Sequence, residues 1–374
     1  MKIKFTLLAL ALLLGSCAKD NPTPEQPQNP ELAKAQAIVD QALAELEKDY
    51  ENPPVYEGTS SRAIVYLPAG SVNGLQNAIS EAGWGGKVIV KSGDHWESGT
   101  VTIAQTVRII GEENARIFFD VAAPGPFPTV TTNELDPAIF IKNVNMVWIK
   151  GLEIRPQTGK GSTGIFLEKG RLARIEDNTI GNFQFGIWAS GISHSPSIYD
   201  NEITGYEGGS VWGIVIESGS SAKIKGNKVS SFGASIFVSD KRGIMSENET
   251  SGSSIGVLAC TVQGNFKLLN GQILQNAIPC EEWVFANNIS HDNYWNYLVI
   301  DGSHHNFLFG NEAWNPGLYD VELAGETYRF GAFSPLTHDN FVVNPNNGIL
   351  TKDCGVNNVV LAGDKVNNED DPCF

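Results

Sequence analysis

Asp240, Lys241 and Arg242 stand in a row, with Glu217 before them and Glu281 and Glu282 after. Together these residue types could act on a uronic-acid polymer. β-Elimination or C5 epimerisation of a uronate needs one group to neutralise the sugar carboxylate and a second to remove the C5 proton. Arginine, lysine or calcium serves the first role, and arginine, lysine, histidine or tyrosine the second. Lys241 and Arg242, with Asp240, are the local candidates. Hydrolysis would instead need two carboxyls about 5 to 9.5 Å apart, for which Glu217, Asp240 and Glu281 are available. The plain alternative is a solvated charged turn, and stacked acids also arise by chance in an acidic chain. No cofactor is expected, and calcium enters only if the chain is a lyase.

A second group runs from His291 to Tyr297 (HDNYWNY) and continues through Asp301, His304 and His305. Adjacent His304 and His305 point to opposite sides of an extended chain, so no metal site is expected. Tyr294 and Trp295 suit a sugar platform, because aromatic faces stack on the apolar faces of sugars while their polar edges stay wet. Trp188 and Phe237 are further stacking candidates, and His304 a polar ligand contact. Packing over the edge of the fold is the competing role for the Tyr294–Tyr297 loop.

What must position these residues is a repeat. A small residue leads into an aliphatic strand at Gly164-Ile165-Phe166-Leu167, Gly186-Ile187-Trp188-Ala189, Gly213-Ile214-Val215-Ile216, Ser235-Ile236-Phe237-Val238, Gly256-Val257-Leu258-Ala259, Ala277-Ile278-Pro279-Cys280 and Tyr297-Leu298-Val299-Ile300. A second track places asparagine after an aliphatic or aromatic residue, at Asn178, Asn201, Asn227, Asn248, Asn265, Asn288 and Asn311. Both advance by about 22 residues. That period is too short for a propeller blade and lacks the leucine grammar of leucine-rich repeats, so it predicts a parallel β-solenoid. Matching positions then form columns, aliphatic ones inside and asparagines bonding along a turn.

These residues resemble right-handed parallel β-helix proteins of the pectate-lyase-like superfamily, including its NosD-like and mannuronan-epimerase-like branches. The resemblance covers about residues 62 to 345. Residues 72 to 82 (VNGLQNAISEA) look like the family's capping helix, and Gly86–Val90 and Val107–Gly111 like its first coils. It implies an all-β fold, right-handed in its winding, with a short N-terminal capping helix. It does not imply one activity, because the superfamily hosts lyases, hydrolases, epimerases and non-catalytic binders. The Asp-Pro-His sequence of the epimerases is absent, as are paired aspartates within one strand of the kind that hold calcium in pectate lyases. Copper ligands of the NosD-like branch find no match.

A separate amphipathic helix is predicted from Glu31 to Tyr50, where Leu32, Ala35, Val39, Ala42 and Leu46 recur at helical spacing. At 1.5 Å per residue it is roughly 30 Å long. Strand alternation turns Phe166, Trp188, Val215, Phe237, Leu258, Pro279 and Val299 outward as an apolar stripe of similar length. The helix is expected to dock there, with a partner protein or a glycan as the other covers.

Lys2 and Lys4 precede an apolar run that ends in Leu14-Gly15-Ser16-Cys17, too short to span a bilayer. The run resembles the lipobox of bacterial lipoproteins, which implies lipidation of Cys17, and Ala18-Lys19-Asp20 resembles a surface-export signal. The expected organisation is a signal peptide over 1–16, a proline-rich tether over 17–30, the helix and a linker over 31–61, the β-helix over 62–345 and a tail over 346–374. Cys260, Cys280, Cys354 and Cys373 remain, with three pairings open. Cys354 with Cys373 is the simplest, and Cys260 with Cys280 needs a local bulge. The net charge of -16 excludes nucleic acid as a main partner. The sequence therefore predicts an outer-membrane or cell-surface lipoprotein, touching the membrane only through its anchor. It binds or scaffolds a polysaccharide or surface glycan. The alternatives are a lyase or C5-epimerase of uronic-acid polymers and an accessory subunit docked on an outer-membrane protein.

Overall fold

Arg174–Glu176, Thr179–Gly181 and Phe183–Ser190 are three successive strands separated by two residues and then by one. Each pairs in parallel with the matching strand one coil below and one above, so that Ile175 lies between Ile149 and Ile198. Likewise Ile180 lies between Ile154 and Ile203, and Ile187 between Ile165 and Ile214. The coil repeats to give three long parallel sheets. Sheet 1 has 12 strands from Ile64–Leu67 to Val359–Leu361, sheet 2 has nine from Gly93–Glu97 to Glu312–Trp314, and sheet 3 has 11 from Val101–Ile103 to Asp364–Lys365. This is a computed structural model, and it describes residues 30–53, 63–122, 136–190, 195–206, 210–260, 266–267, 273–274, 280–324, 327–329, 332–334, 336–343, 349–361 and 364–365.

The inward side chains are aliphatic and fully buried, as strand alternation requires of a narrow solenoid. At the corner between sheets 1 and 2 the chain turns through the left-handed region at Asp177, Asp200, Gly226, Glu247, Asn287 and Gly310, with φ between 53° and 69°. The next residue in every case is an asparagine. Its amide donates to the asparagine one coil on, from Asn178 through Asn201, Asn227, Asn248 and Asn288 to Asn311, at 2.9 to 3.0 Å. The same amides satisfy main-chain carbonyls of the preceding coil, such as Ile198 O from Asn227. A second ladder, Asn306 to Asn340 to Asn358, lines the corner between sheets 3 and 1.

Two expected rungs are corrected. Ile255–Ala259 pairs directly with Trp295–Val299, and Asn248 bonds directly to Asn288. No rung therefore stands between Ile255–Ala259 and Trp295–Val299 in sheet 3, nor between Asn248 and Asn288 in the ladder, and Asn265 and residues 277–279 lie outside the described residues. Strands continue through Leu350–Asp353 and Val359–Leu361, so the solenoid takes in part of the expected tail. Among the described residues, no helix is long and apolar enough to cross a membrane.

Helix α2 (Leu75–Ala82) closes the first coil, as expected of the cap. It buries Leu75, Ala78, Ile79 and Ala82 in the interior cluster, and the Glu97 carboxylate accepts from Leu75 N at 2.8 Å. Helix α1 (Pro30–Glu51) overturns the expected docking, because it lies on sheet 1 and not on the sheet 3 stripe. Ala35, Val39 and Leu46 pack on Tyr199, Ile244, Val284, Ala286 and Phe309, the outward residues of sheet 1. Charge selects this face. Lys223 bonds to Asp49 at 3.1 Å, Lys225 pairs with Glu47, and Arg174 donates to the last-turn carbonyls of Asp49 and Tyr50, both at 2.9 Å. A cation at a helix C-terminus complements both the open carbonyls and the dipole. Among the described residues, the sheet 3 stripe of Phe166, Trp188, Val215, Phe237, Leu258 and Leu298 has no such basic column beside it.

Candidate functional site

The outward residues of sheet 3, Phe166, Trp188, Val215, Phe237, Leu258 and Leu298, form one apolar column as expected. They are buried, Trp188 being 3% exposed and Phe237 4%, so neither offers a ring to a sugar. Leu298, not Val299, takes the outward position, because Val257 pairs with Tyr297 and Val299 points inward. Two carboxyls stand beside this column. Glu217 accepts from Trp188 Nε1 at 2.8 Å, and its other oxygen is buried. Burial pushes its pKa up to about 7, against the opposing pull of the hydrogen bonds from Trp188 and Ser190. Glu168 is buried two strands away in the same column.

The charged candidates lie on the next corner, between sheets 3 and 1. Lys241, Glu281, His304 and His338 occupy one column on successive coils. Lys241 pairs with Glu281, which also meets His304 Nε2 at 3.2 Å, and the His304 ring stacks on His338 with centroids 4.6 Å apart. Burial and the neighbouring histidines hold the His304 pKa below its ordinary value. Arg242 bonds to Glu282 at 2.5 Å. Both catalytic candidates are thus committed to carboxylates along a ridge. Glu217 sits apart from them, with Ser239 in register beside it and a bulge before Lys241. The side chain of Asp240 is outside the described residues. His304 and His305 do not diverge: His305 has φ 54°, and the turn brings their Nδ1 atoms to 2.8 Å. Among the described residues, no group of three or more His, Cys, Asp or Glu is arranged to hold a metal ion.

Cys260 and Cys280 are separate thiols, because Cys280 packs inside the solenoid and Cys260 on the outer face of sheet 3. Cys17 and Cys373 lie outside the described residues, and with them the expected lipidation and tail pairing.

Sheet 2 is different, since its outward side chains reach solvent along the whole stack. One column runs Asp94, Arg116, Glu153, Thr179, Glu202, Lys228, Glu249, Ile289 and Glu312. Beside it runs a flatter column. Trp96 and Phe118 stack at one end, with centroids 6.3 Å apart, and His291 and Trp314 at the other, at 4.7 Å and 6°. Between these ends lie Arg155, Gly181, Thr204, Ser230 and Ser251, so the middle is a shallow, hydroxyl-lined trough. The Arg155 guanidinium crosses Gly181 so closely that a Cβ there would lie 1.5 Å from it, and a larger residue would have to move the arginine side chain. From Phe118 to His291 is six strand spacings, roughly 29 Å. Trp314 is 40% exposed, and Tyr294, 48% exposed, stands at the adjoining corner with its ring against Gly317. Trp295 turns the other way, onto sheet 3, and donates to Glu322 at 2.6 Å.

The parallel register of the three sheets agrees with a sequence match. A family model described as a right-handed β-helix region matches residues 107–255. The chain folds as a right-handed parallel β-helix. No curated protein matches it. Among solved structures, this β-helix is similar to the Dettilon tailspike protein, at 14% identity over 85% of this chain and 71% of that one, with a TM-score of 0.49. It is similar to the catalytic domain of an α-1,3-glucanase in complex with nigerose, at 12% identity over 83% of this chain and 56% of that one, with a TM-score of 0.48. It is also similar to a mannuronan C-5 epimerase A-module from Azotobacter vinelandii, at 15% identity over 78% of this chain and 90% of that one, with a TM-score of 0.43. These likenesses concern the winding of the chain.

Of the expected ligand residues, the β-helix brings only Tyr294 to the open trough. Trp96, Phe118, His291 and Trp314 had gone unread as a set. Phe118, His291 and Trp314 each follow an inward aliphatic or small residue and Trp96 follows the buried His95, and the three-residue strands of His291 and Trp314 carry too little alternation to reveal the column.

Proposed function

We propose that this β-helix binds an extracellular polysaccharide along the outer face of sheet 2, and that it is a lipoprotein anchored through Cys17 at the outer membrane, on the cell surface. The observation that carries the binding reading is the trough itself, in which Arg155 over Gly181 and then the hydroxyls of Thr204, Ser230 and Ser251 lie between two pairs of stacked rings. Stacked rings hold the apolar faces of sugars, and the serines and threonines between them offer hydrogen bonds without blocking a chain. The other two sheets are less suited, since sheet 1 carries α1 and the outer face of sheet 3 is buried. Chemistry on a uronate is not favoured, because Lys241 and Arg242 are each neutralised by a carboxylate on the ridge.

Native gels cast with soluble polysaccharides test the binding reading. Retardation in at least one gel supports it, and unchanged mobility in all of them overturns it. The anchor is tested separately by metabolic labelling with a radioactive fatty acid: label should enter the wild-type chain and be lost in C17A.

A further inference from the structure

The charges around the trough narrow the ligand class, and this step rests on the glycan-binding reading. Every fixed cation on the outer face of sheet 2 already has a partner. Arg116 meets Asp94 at 2.6 Å, Arg155 meets Glu153 at 3.1 Å, and Lys228 meets Glu249 at 3.1 Å. His291 is held between Glu249 at 3.4 Å and Asp292 at 2.6 Å. The hydrogen bond from Lys228 keeps Glu249 below the usual carboxylate range, with His291 acting in the same direction, so the acid is charged at neutral pH. Glu202 and Glu312 are exposed in the same column and have no ion-pair partner among the described residues.

A uronate polymer carries a negative charge on every sugar. On this face it would meet neutralised cations and surplus carboxylates, on a chain whose total charge is -16. To gain a salt bridge it would have to displace an existing partner, and it would still face Glu202 and Glu312. A neutral sugar chain meets none of these costs. It can stack on Trp96, Phe118 and Trp314, and its hydroxyls can bond to Thr204, Ser230 and Ser251. The polar rim then serves it well, because carboxylates accept hydrogen bonds from sugar hydroxyls. We infer that the sheet 2 trough selects neutral polysaccharides and rejects polyuronates. The rejection is electrostatic, so it must weaken as salt screens the face.

Isothermal titration of the purified protein tests this, using mixed-linkage β-glucan, xyloglucan and galactomannan as neutral probes and alginate and polygalacturonate as anionic ones. At about 20 mM salt, where screening reaches some 20 Å, at least one neutral polymer should bind at least tenfold more tightly than either polyuronate. The gap should narrow at 0.5 M salt, and E202K/E312K should narrow it at low salt. Tighter binding of a polyuronate at low salt, lost in W314A, would overturn the selectivity while leaving the glycan-binding reading intact. Absence of binding by all five polymers overturns both.

Discussion

His291 lies flat on Trp314, their rings 4.7 Å apart and inclined by 6°, on neighbouring strands of the solvent-facing sheet. The pair is a broad, rigid surface at one end of the trough, and the imidazole is anchored by Glu249 and Asp292. His291 covers one face of the Trp314 indole, which is 40% exposed, so a sugar would stack on its other face.

Trp314→Ala should therefore weaken binding of a neutral polysaccharide about tenfold, or about 1.4 kcal/mol. Since Trp314 is exposed, denaturant stability should change by less than about 0.5 kcal/mol. Phe237→Ala provides the contrast. That ring is buried against Trp212, and its loss should cost about 3 to 5 kcal/mol of stability. Titration and guanidinium unfolding of both variants would show whether the two effects separate in this way.

Helix α1 should depend on one arginine. Arg174 is buried, bonds to Glu176 at 2.5 Å and closes the last turn of α1 through Asp49 O and Tyr50 O. Burial disfavours charge on Asp49, yet hydrogen bonds from Tyr199 and Ser197 and the charge of Lys223 hold its pKa below the usual value, so the whole seam is ionic. Arg174→Ala removes one partner of Glu176, which keeps its bond from Lys150 at 2.6 Å, and frees the last carbonyls of α1, and should cost about 3 kcal/mol. Hydrogen exchange should rise across Pro30–Glu51 while the sheet 2 strands keep their protection.

The asparagine ladder makes a prediction about turns. Asn227 gives its amide to Ile198 O and Asn248 Oδ1, and receives from Asn201. Asn227→Ala leaves several buried polar groups unmet and should cost about 2 to 4 kcal/mol. Asn287→Ala, one residue before a ladder position and exposed, should cost less than about 1 kcal/mol, although its φ of 57° favours asparagine. Chemical denaturation of the two variants gives the comparison directly.

Glu217 sets a pH dependence. Burial raises its folded pKa from 4.5 to about 7. Between these values the folded chain holds a proton that the unfolded chain has released, so stability falls as pH rises. The contribution is full below about pH 4.5 and is lost by about pH 7, an effect on the order of 3 kcal/mol. Glu217→Gln keeps an acceptor for Trp188 Nε1 and should flatten this part of the profile, making the variant more stable than wild type at pH 8. Denaturation midpoints from pH 4 to 8 would reveal the slope and its loss.

The solenoid was legible because its coils repeat a buried aliphatic residue and a turn asparagine, and both are forced by geometry. Residues 277–280 carry the same small-then-aliphatic pattern, so the period counts one rung more than the direct pairing of Ile255–Ala259 with Trp295–Val299 leaves room for. The docking of α1 was misread for a different reason. Sheets 1 and 3 both turn apolar residues outward, but in sheet 1 they are spread over three-residue strands and two columns, Ile244 and Val284 in one and Tyr199 and Phe309 in the other, whereas sheet 3 shows a single column in longer strands. Matching Arg174, Lys223 and Lys225 to Glu45, Glu47 and Asp49 would have separated the two. Trp188 and Phe237 are outward residues as expected, yet alternation reports only the face of a strand and says nothing of what covers that face. The same limit hid the trough, whose rings at Trp96, Phe118 and Trp314 belong together only once the register is known.

Hydroxyl-radical footprinting of the protein saturated with a bound neutral polysaccharide tests the central claim most directly. A groove of about 780 Å³ between α1 and sheet 1, bordered by Ile38, Ile244, Phe307 and Phe341, is the natural internal comparison. Oxidation of Trp96, Tyr294 and Trp314 should fall severalfold while that of Ile38 and Phe341 stays unchanged. Unchanged oxidation of the sheet 2 rings, with protection in the α1 groove, would contradict the account.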